Sequence, residues 1–196
     1  MAEAKPPPEG QPARSRLARH PLVWIAAIAL APIIASYTVY YLFPRAPSAN
    51  YGTLLPTAPI AGIEGTRDDG SPFRLDELRG RWVLVALGDE GCERGCEGLL
   101  YATRQARTMQ GKEQDRIARV FLRAGEPTPS PALLAQHPGL IVARVATGVA
   151  AKFPGGARAL YLVDPLGNFV LSYPANPDIK GIAKDLSRLL KASQIG

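Results

Sequence analysis

The chain has 196 residues, with 23 Lys and Arg against 17 Asp and Glu, and only two cysteines. The surplus of six positive charges comes without a basic run interleaved with aromatics, so nucleic acid is not an expected partner. Two cysteines in a chain of this length also exclude a small scaffold stapled by several disulfides.

From Pro21 to Phe43 the run "PLVWIAAIALAPIIASYTVYYLF" carries no charged residue. As a helix rising about 1.5 Å per residue it reaches roughly 33 Å, enough to cross a hydrocarbon core of about 30 Å. Pro32 sits mid-span, which a membrane helix tolerates with a kink. Trp24, Tyr37, Tyr40 and Tyr41 lie near its two ends, where amphipathic rings prefer the interface. Residues 21–43 are therefore read as an uncleaved transmembrane helix, and the lipid bilayer as a partner. Lys5, Arg14, Arg16 and Arg19 precede the span and only Arg45 follows closely. The positive-inside rule then places residues 1–20 in the cytoplasm. That tail is rich in Pro and charge and is expected to be disordered. The expected setting is the inner membrane of a bacterium, crossed once, with the C-terminal domain in the periplasm.

Residues 44–59 are rich in Pro and Ala and are predicted to be a linker. Residues 60–196 suit one domain with one core. Within it, "WVLVALG" (82–88) is an apolar run too short for a helix, bracketed by polar turns, and reads as a buried strand. "CEGLLYATRQARTMQ" (96–110) reads as a helix ended by Gly111. "RIARVFLRA" (116–124) is a second strand, and "SPALLAQHP" a short helix with Ser130 as cap and Pro131 at its first position. "GLIVARVA" (139–146) is a third strand, followed by a short helix in "GVAAKFPGG". "ALYLVDPLGNFVLSYP" (159–174) has two strand-like runs joined by the turn residues "DPLGN". Asp178 opens a last helix with Ile179, Ile182, Ala183, Leu186, Leu189 and Leu190 on one face. This order predicts an α/β fold, a thioredoxin-like three-layer sandwich preceded by a single N-terminal transmembrane helix.

Both cysteines fall in "GDEGCERGCEGLL", at the turn between the first core strand and its helix. Strand-end turns of open α/β sheets are where sites are built. Four residues apart at a helix start, Cys92 and Cys96 face the same way with Cα atoms about 6 Å apart, within disulfide range. The helix N-terminus and Arg94 favour thiolate, whereas Glu90, Glu93 and Glu97 oppose it. Two convergent thiolates suit a soft cation, Cu(I) above all, and equally suit reversible oxidation. A purely structural disulfide is the plain alternative, but one closing so short a loop removes little unfolded-state entropy.

The stretch "DGSPFRLDELRGRWVLVALGDEGCERGC" and the later "ALYLVDPLGNFVLSY" resemble the Sco/SenC family of copper chaperones for cytochrome c oxidase assembly, over roughly residues 58–192. The resemblance implies a thioredoxin-like fold, copper as the bound metal, and a cytochrome c oxidase subunit or another assembly factor as partner. It also implies that Cys92 and Cys96 are the two sulfur ligands. The chain departs from the family in three places. Glu93 and Glu97 stand where a Pro usually follows each cysteine. The family histidine falls on Gly156, six residues before Leu162. The only histidines are His20 and His137, and His137, before Pro138, is expected at the surface. Loss of the histidine leaves two sulfurs, which still permit linear Cu(I) but not a site suited to Cu(II). A thioredoxin-type oxidoreductase would carry a cis-Pro at Arg158; Pro154 is near but out of register. Three readings follow: a copper or thiol-reducing factor for oxidase assembly, a membrane-tethered thiol–disulfide oxidoreductase without copper (the form in which the chain would be an enzyme), and a non-catalytic binding module in oxidase assembly. In the redox readings Cys92 attacks and Cys96 resolves.

Overall fold

The computed structural model describes residues 21–42, 50–60, 62–88, 94–124, 129–154 and 160–193. The expected tail 1–20, Phe43 and residues 44–49 of the expected linker lie outside them. The chain divides into two units, Met1–Pro47 and Ser48–Gly196, each taken by itself.

In the first unit, α1 (Pro21–Leu42) is one helix with Pro32 inside it. It is apolar on every face, and residues Val23–Leu42 are long and apolar enough to cross a membrane once. Thr38 Oγ1 donates to the Ile34 carbonyl at 2.7 Å, so its hydroxyl is satisfied within the helix, as a hydrocarbon setting requires. Tyr37 stacks on Tyr41, and Tyr40 meets Tyr41 edge-on.

The second unit is built on one eight-stranded sheet: β1 (Thr53–Pro59), β2 (Glu64–Arg67), β3 (Pro72–Arg74), β4 (Trp82–Gly88), β5 (Ile117–Ala124), β6 (Leu140–Val145), β7 (Leu160–Val163) and β8 (Asn168–Tyr173). Its spatial order is β1-β8-β7-β4-β5-β6-β2-β3. The central strands β4, β5 and β6 run parallel. Both wings are antiparallel. The parallel strands are mostly apolar because both of their faces are covered, with Arg119 and Arg123 of β5 and Arg144 of β6 as the exceptions. Trp82, Leu84 and Ala86 of β4 point to one face and Val83 and Val85 to the other.

The first face is covered by α2 (Arg94–Thr108) and α4 (Ile179–Ala192), with Leu133 and Leu134 of the short α3 (Pro131–Ala135) packed beside them. Asp178 caps α4 by accepting from the backbone of Lys180 and Gly181, and Ser130 caps α3 by accepting from Leu133. The second face is closed by Ile60, Ile63, Leu75, Leu78 and Phe153. Two of these belong to the 3₁₀ turn Leu75–Leu78, and Phe153 follows another at Val149–Lys152, the short helix expected there.

One boundary is corrected. Residues 53–59, expected within the linker, form edge strand β1, which pairs with β8, so the folded unit begins before residue 60. The reason is non-local. The Asp185 carboxylate, fully buried on α4, accepts from the backbone N–H of Tyr51 at 3.0 Å and of Gly52 at 2.8 Å. The Tyr173 hydroxyl donates to the same carboxylate at 3.4 Å. The Tyr51 ring lies on Gly181, where an added Cβ would come within 2.5 Å of it.

Candidate dithiol site

Strand β4 ends at Gly88 on the C-terminal edge of the parallel strands, and α2 starts six residues later. Cys96 is the third residue of α2, 1 % exposed, in the core cluster with Leu99, Leu100 and Ala102. It is disulfide-bonded. The chain's other cysteine, Cys92, lies outside the described residues, as do Glu93, Gly156 and Arg158.

What fixes the Cys96 sulfur is a glycine that sequence reasoning passed over. A Cβ built on Gly88 would stand 3.5 Å from Cys96 Sγ and only 2.5 Å from Cζ of Phe121. The sulfur and the edge of the Phe121 ring thus both close on the bare backbone at the end of β4. The signal was present as a Gly ending an apolar strand, which marks a close approach. The aromatic partner, 33 residues on, was not legible. In the next strand Arg123, 7 % exposed, donates to Asp68 Oδ1 at 2.9 Å, so one guanidinium at this edge is already engaged. Glu97 is exposed in the first turn of α2, which opposes thiolate formation at the neighbouring cysteine.

His137 corrects a second expectation. It is 4 % exposed, not at the surface. The turn that carries it is held by Arg119, whose Nη2 donates to the Pro138 carbonyl at 2.7 Å, and by Arg104, which donates to the Gln136 carbonyl. Its Nδ1 is buried without a hydrogen-bond partner. Burial first, then the charges of Arg119 and Arg104, hold its pKa below the usual histidine value. Arg119 itself is pushed down to about 10, by burial and then by Arg107 and Arg104, and stays charged at neutral pH. His137 also cannot serve as a ligand beside Cys96. It precedes Leu140, which pairs with Arg119, whereas Gly88 pairs with Arg123. Four residues of strand, about 13 Å, separate those two levels, and His137 lies beyond the far one. Among the described residues no cluster of three or more His, Cys, Asp or Glu side chains is placed to hold a metal ion.

Comparison with solved structures shows what the fold is similar to. The copper-bound ScoI of Arabidopsis thaliana matches with a TM-score of 0.53 at 17 % identity, covering 70 % of this chain and 99 % of that one. Apo Sco1 of Thermus thermophilus matches at 0.53 and 21 % identity, over 74 % and 96 % of the two chains. Yeast Sco1 matches at 0.53 and 18 % identity, over 71 % and 99 %. At these identities the likeness is one of fold. No curated protein sequence matches the chain. The family model described as "transmembrane-like, thioredoxin-like, C-terminal domain" matches residues 82–193, more than half of the chain and all of the sheet from β4 onward, together with α2 and α4. The chain therefore belongs to this transmembrane-like, thioredoxin-like family.

Proposed function

We propose that the chain is a membrane-anchored, Sco-like factor that assists cytochrome c oxidase assembly through the Cys92/Cys96 dithiol. In this reading α1 anchors it in a bacterial inner membrane, with the N-terminus cytoplasmic and the thioredoxin-like domain in the periplasm. The dithiol reduces a disulfide on an oxidase subunit or assembly factor. Two electrons and two protons pass to the partner's cysteines, and Cys92 and Cys96 are left joined. The observation that carries the reading is Cys96, disulfide-bonded and set at the strand–helix turn against Gly88 and Phe121. A staple across so short a loop contributes little to a domain with a core on each face of its sheet, so chemistry is the better reason for it.

A second role rests on the fold likeness to copper-bound ScoI. The reduced pair would take Cu(I) as cargo between two thiolates and hand it on without a change of oxidation state. Two sulfurs suffice for this soft ion. The test is a Cu(I) titration of the reduced full chain in non-ionic detergent against a competing chelator, beside the Cys92→Ser, Cys96→Ser variant. One cysteine-dependent ion is expected. No binding above the variant removes the cargo role and leaves disulfide exchange. If the double variant still supports oxidase assembly in cells, the dithiol reading fails and the domain acts as a binding module.

A further inference from the structure

The solvent face of α4 carries charge of one sign. Its exposed residues are Lys180, Lys184, Lys191 and the terminal Ala192. At about 100° per residue the three lysines fall within roughly 40° of one another around the helix, turned away from Ile182, Ala183, Leu186 and Leu190, which enter the core. Among the described residues none of the three ammonium groups has an ion-pair partner. The carboxylates beside them are engaged, Asp178 in capping α4 and Glu113 with Arg116.

Solvated lysines are ordinary; what adjoins these is not. The exposed side chains of Tyr51, Tyr101 and Met109 line one groove with Lys180. Met109 also lines the next groove, with Lys112 and Lys191. Aromatic and apolar side chains bordered by ammonium groups suit a membrane interface, where tyrosine settles at headgroup level and lysine meets lipid phosphate. Connectivity favours the same occupant. Eight residues lead from Leu42, the end of α1, to Asn50, and they span at most about 27 Å however they run. Asn50 Oδ1 accepts from Arg188 Nη1 of α4 at 3.1 Å, and the next two residues are fixed to Asp185. With α1 in a bilayer, this short link ends on the lysine-bearing helix itself and confers a high effective concentration of headgroups there.

We propose that the lysine face of α4 docks the domain on anionic lipid headgroups, with Tyr51, Tyr101 and Met109 at the boundary. This rests on the reading of α1 as a membrane span.

The test uses the full chain in nanodiscs, which leave both bilayer faces open, made of phosphatidylcholine alone or with about one third phosphatidylglycerol. Brief acetylation with acetic anhydride, read lysine by lysine by mass spectrometry, shows which ammonium groups are covered. Lys152, beside Phe153 on the other face of the sheet, is the internal reference. In the anionic discs Lys180, Lys184 and Lys191 should react about five- to tenfold more slowly relative to Lys152. Salt at ~1 M should restore them, since screening then acts within about 3 Å. The triple variant Lys180→Gln, Lys184→Gln, Lys191→Gln keeps good helix formers on α4, and its far-ultraviolet circular dichroism should match the wild type. It is read at Lys112, whose protection in anionic discs should disappear. Equal lysine ratios in the two lipids, or protection of Lys112 that survives in the variant, overturn the docking and leave the anchor standing. If the chain elutes apart from the discs in gel filtration, the span reading falls and this proposal falls with it.

Discussion

Replacing Gly88 by alanine tests whether the end of β4 is the seat of the site. The new methyl would stand 2.5 Å from Phe121 Cζ and 2.7 Å from Cε2, where carbon contacts settle near 3.5–4.0 Å. The ring must therefore give way by about 1 Å. It has little room to do so, since Phe121 is 3 % exposed and packed in the cluster that holds Cys96, Leu99 and Leu100. Overpacking of this kind costs about 1–3 kcal/mol. Phe121→Leu deletes both clashing atoms and by itself costs about 1 kcal/mol as a hydrophobic swap of smaller volume. The double variant should then be less unstable than the sum of the two, by about 1 kcal/mol or more, as expected for residues in contact. Urea unfolding of the oxidised full chain in detergent, followed by near-ultraviolet circular dichroism, measures all four species. Additive losses would refute the claim that Phe121 and Gly88 meet at the sulfur.

Three further outcomes follow from buried polar groups. Asp185→Ala should cost about 3 kcal/mol, because it strips the acceptor from two backbone N–H groups and the Tyr173 hydroxyl; a loss under about 1 kcal/mol in urea unfolding would show that the 51–52 segment is not held by this carboxylate. Since the folded-state pKa of His137 lies below the ordinary histidine value of about 6.5, the unfolded chain takes up the proton first. The stability from a neutral His137 is fully present above that value and is lost as pH falls through the lowered folded value. Thermal melts should show His137→Leu flattening this acid limb, and an unchanged limb would refute the assignment. Arg119 spends a buried charge on one carbonyl while its Nη1 has no partner, so Arg119→Met should be neutral or stabilising, by up to about 2 kcal/mol. A loss larger than 1 kcal/mol in the same urea assay would show that the clamp on Pro138 outweighs the burial of charge.

The parts legible in the sequence are those whose signals are local. β4, β5 and β6 are short apolar runs between polar turns, and β7 and β8 flank the turn residues Asp164–Asn168. Ser130 and Asp178 are caps one residue ahead of their helices. What was missed is held from far away. β1, "TLLPTAP", has two prolines and an exposed pattern, which reads as linker until Asp185, 133 residues downstream, accepts from Gly52. β2 and β3 are four and three residues long, too short for periodicity. The Asp69-Gly70 pair between them was the available signal: Gly70 has φ +82 and donates to the Arg67 carbonyl, a turn that joins antiparallel strands. His137 looked superficial because "QHPG" is turn chemistry. Its burial comes from Arg104 and Arg119, neither of which is near it in sequence.

Burial of Cys96 also bears on how one site can serve both proposed roles. A thiolate opening a disulfide must line up behind the sulfur it attacks and expel the other. Cys96 is 1 % exposed, in one core cluster with Leu99, Leu100 and Phe121. In the proposed exchange the attack would then fall on its partner sulfur, the mixed disulfide would form on Cys92, and Cys96 would leave as a thiolate in the first turn of α2. The helix N-terminus favours that charge, and Glu97 and the apolar surroundings oppose it. A Cu(I) ion would need the same buried sulfur turned outward to share the metal with Cys92. Copper carriage and disulfide exchange would therefore compete for one sulfur, and oxidation of the pair would exclude the cargo. A partner able to reduce Cys92 and Cys96 would reset the site for exchange and at the same time free both sulfurs to accept Cu(I) from a separate donor.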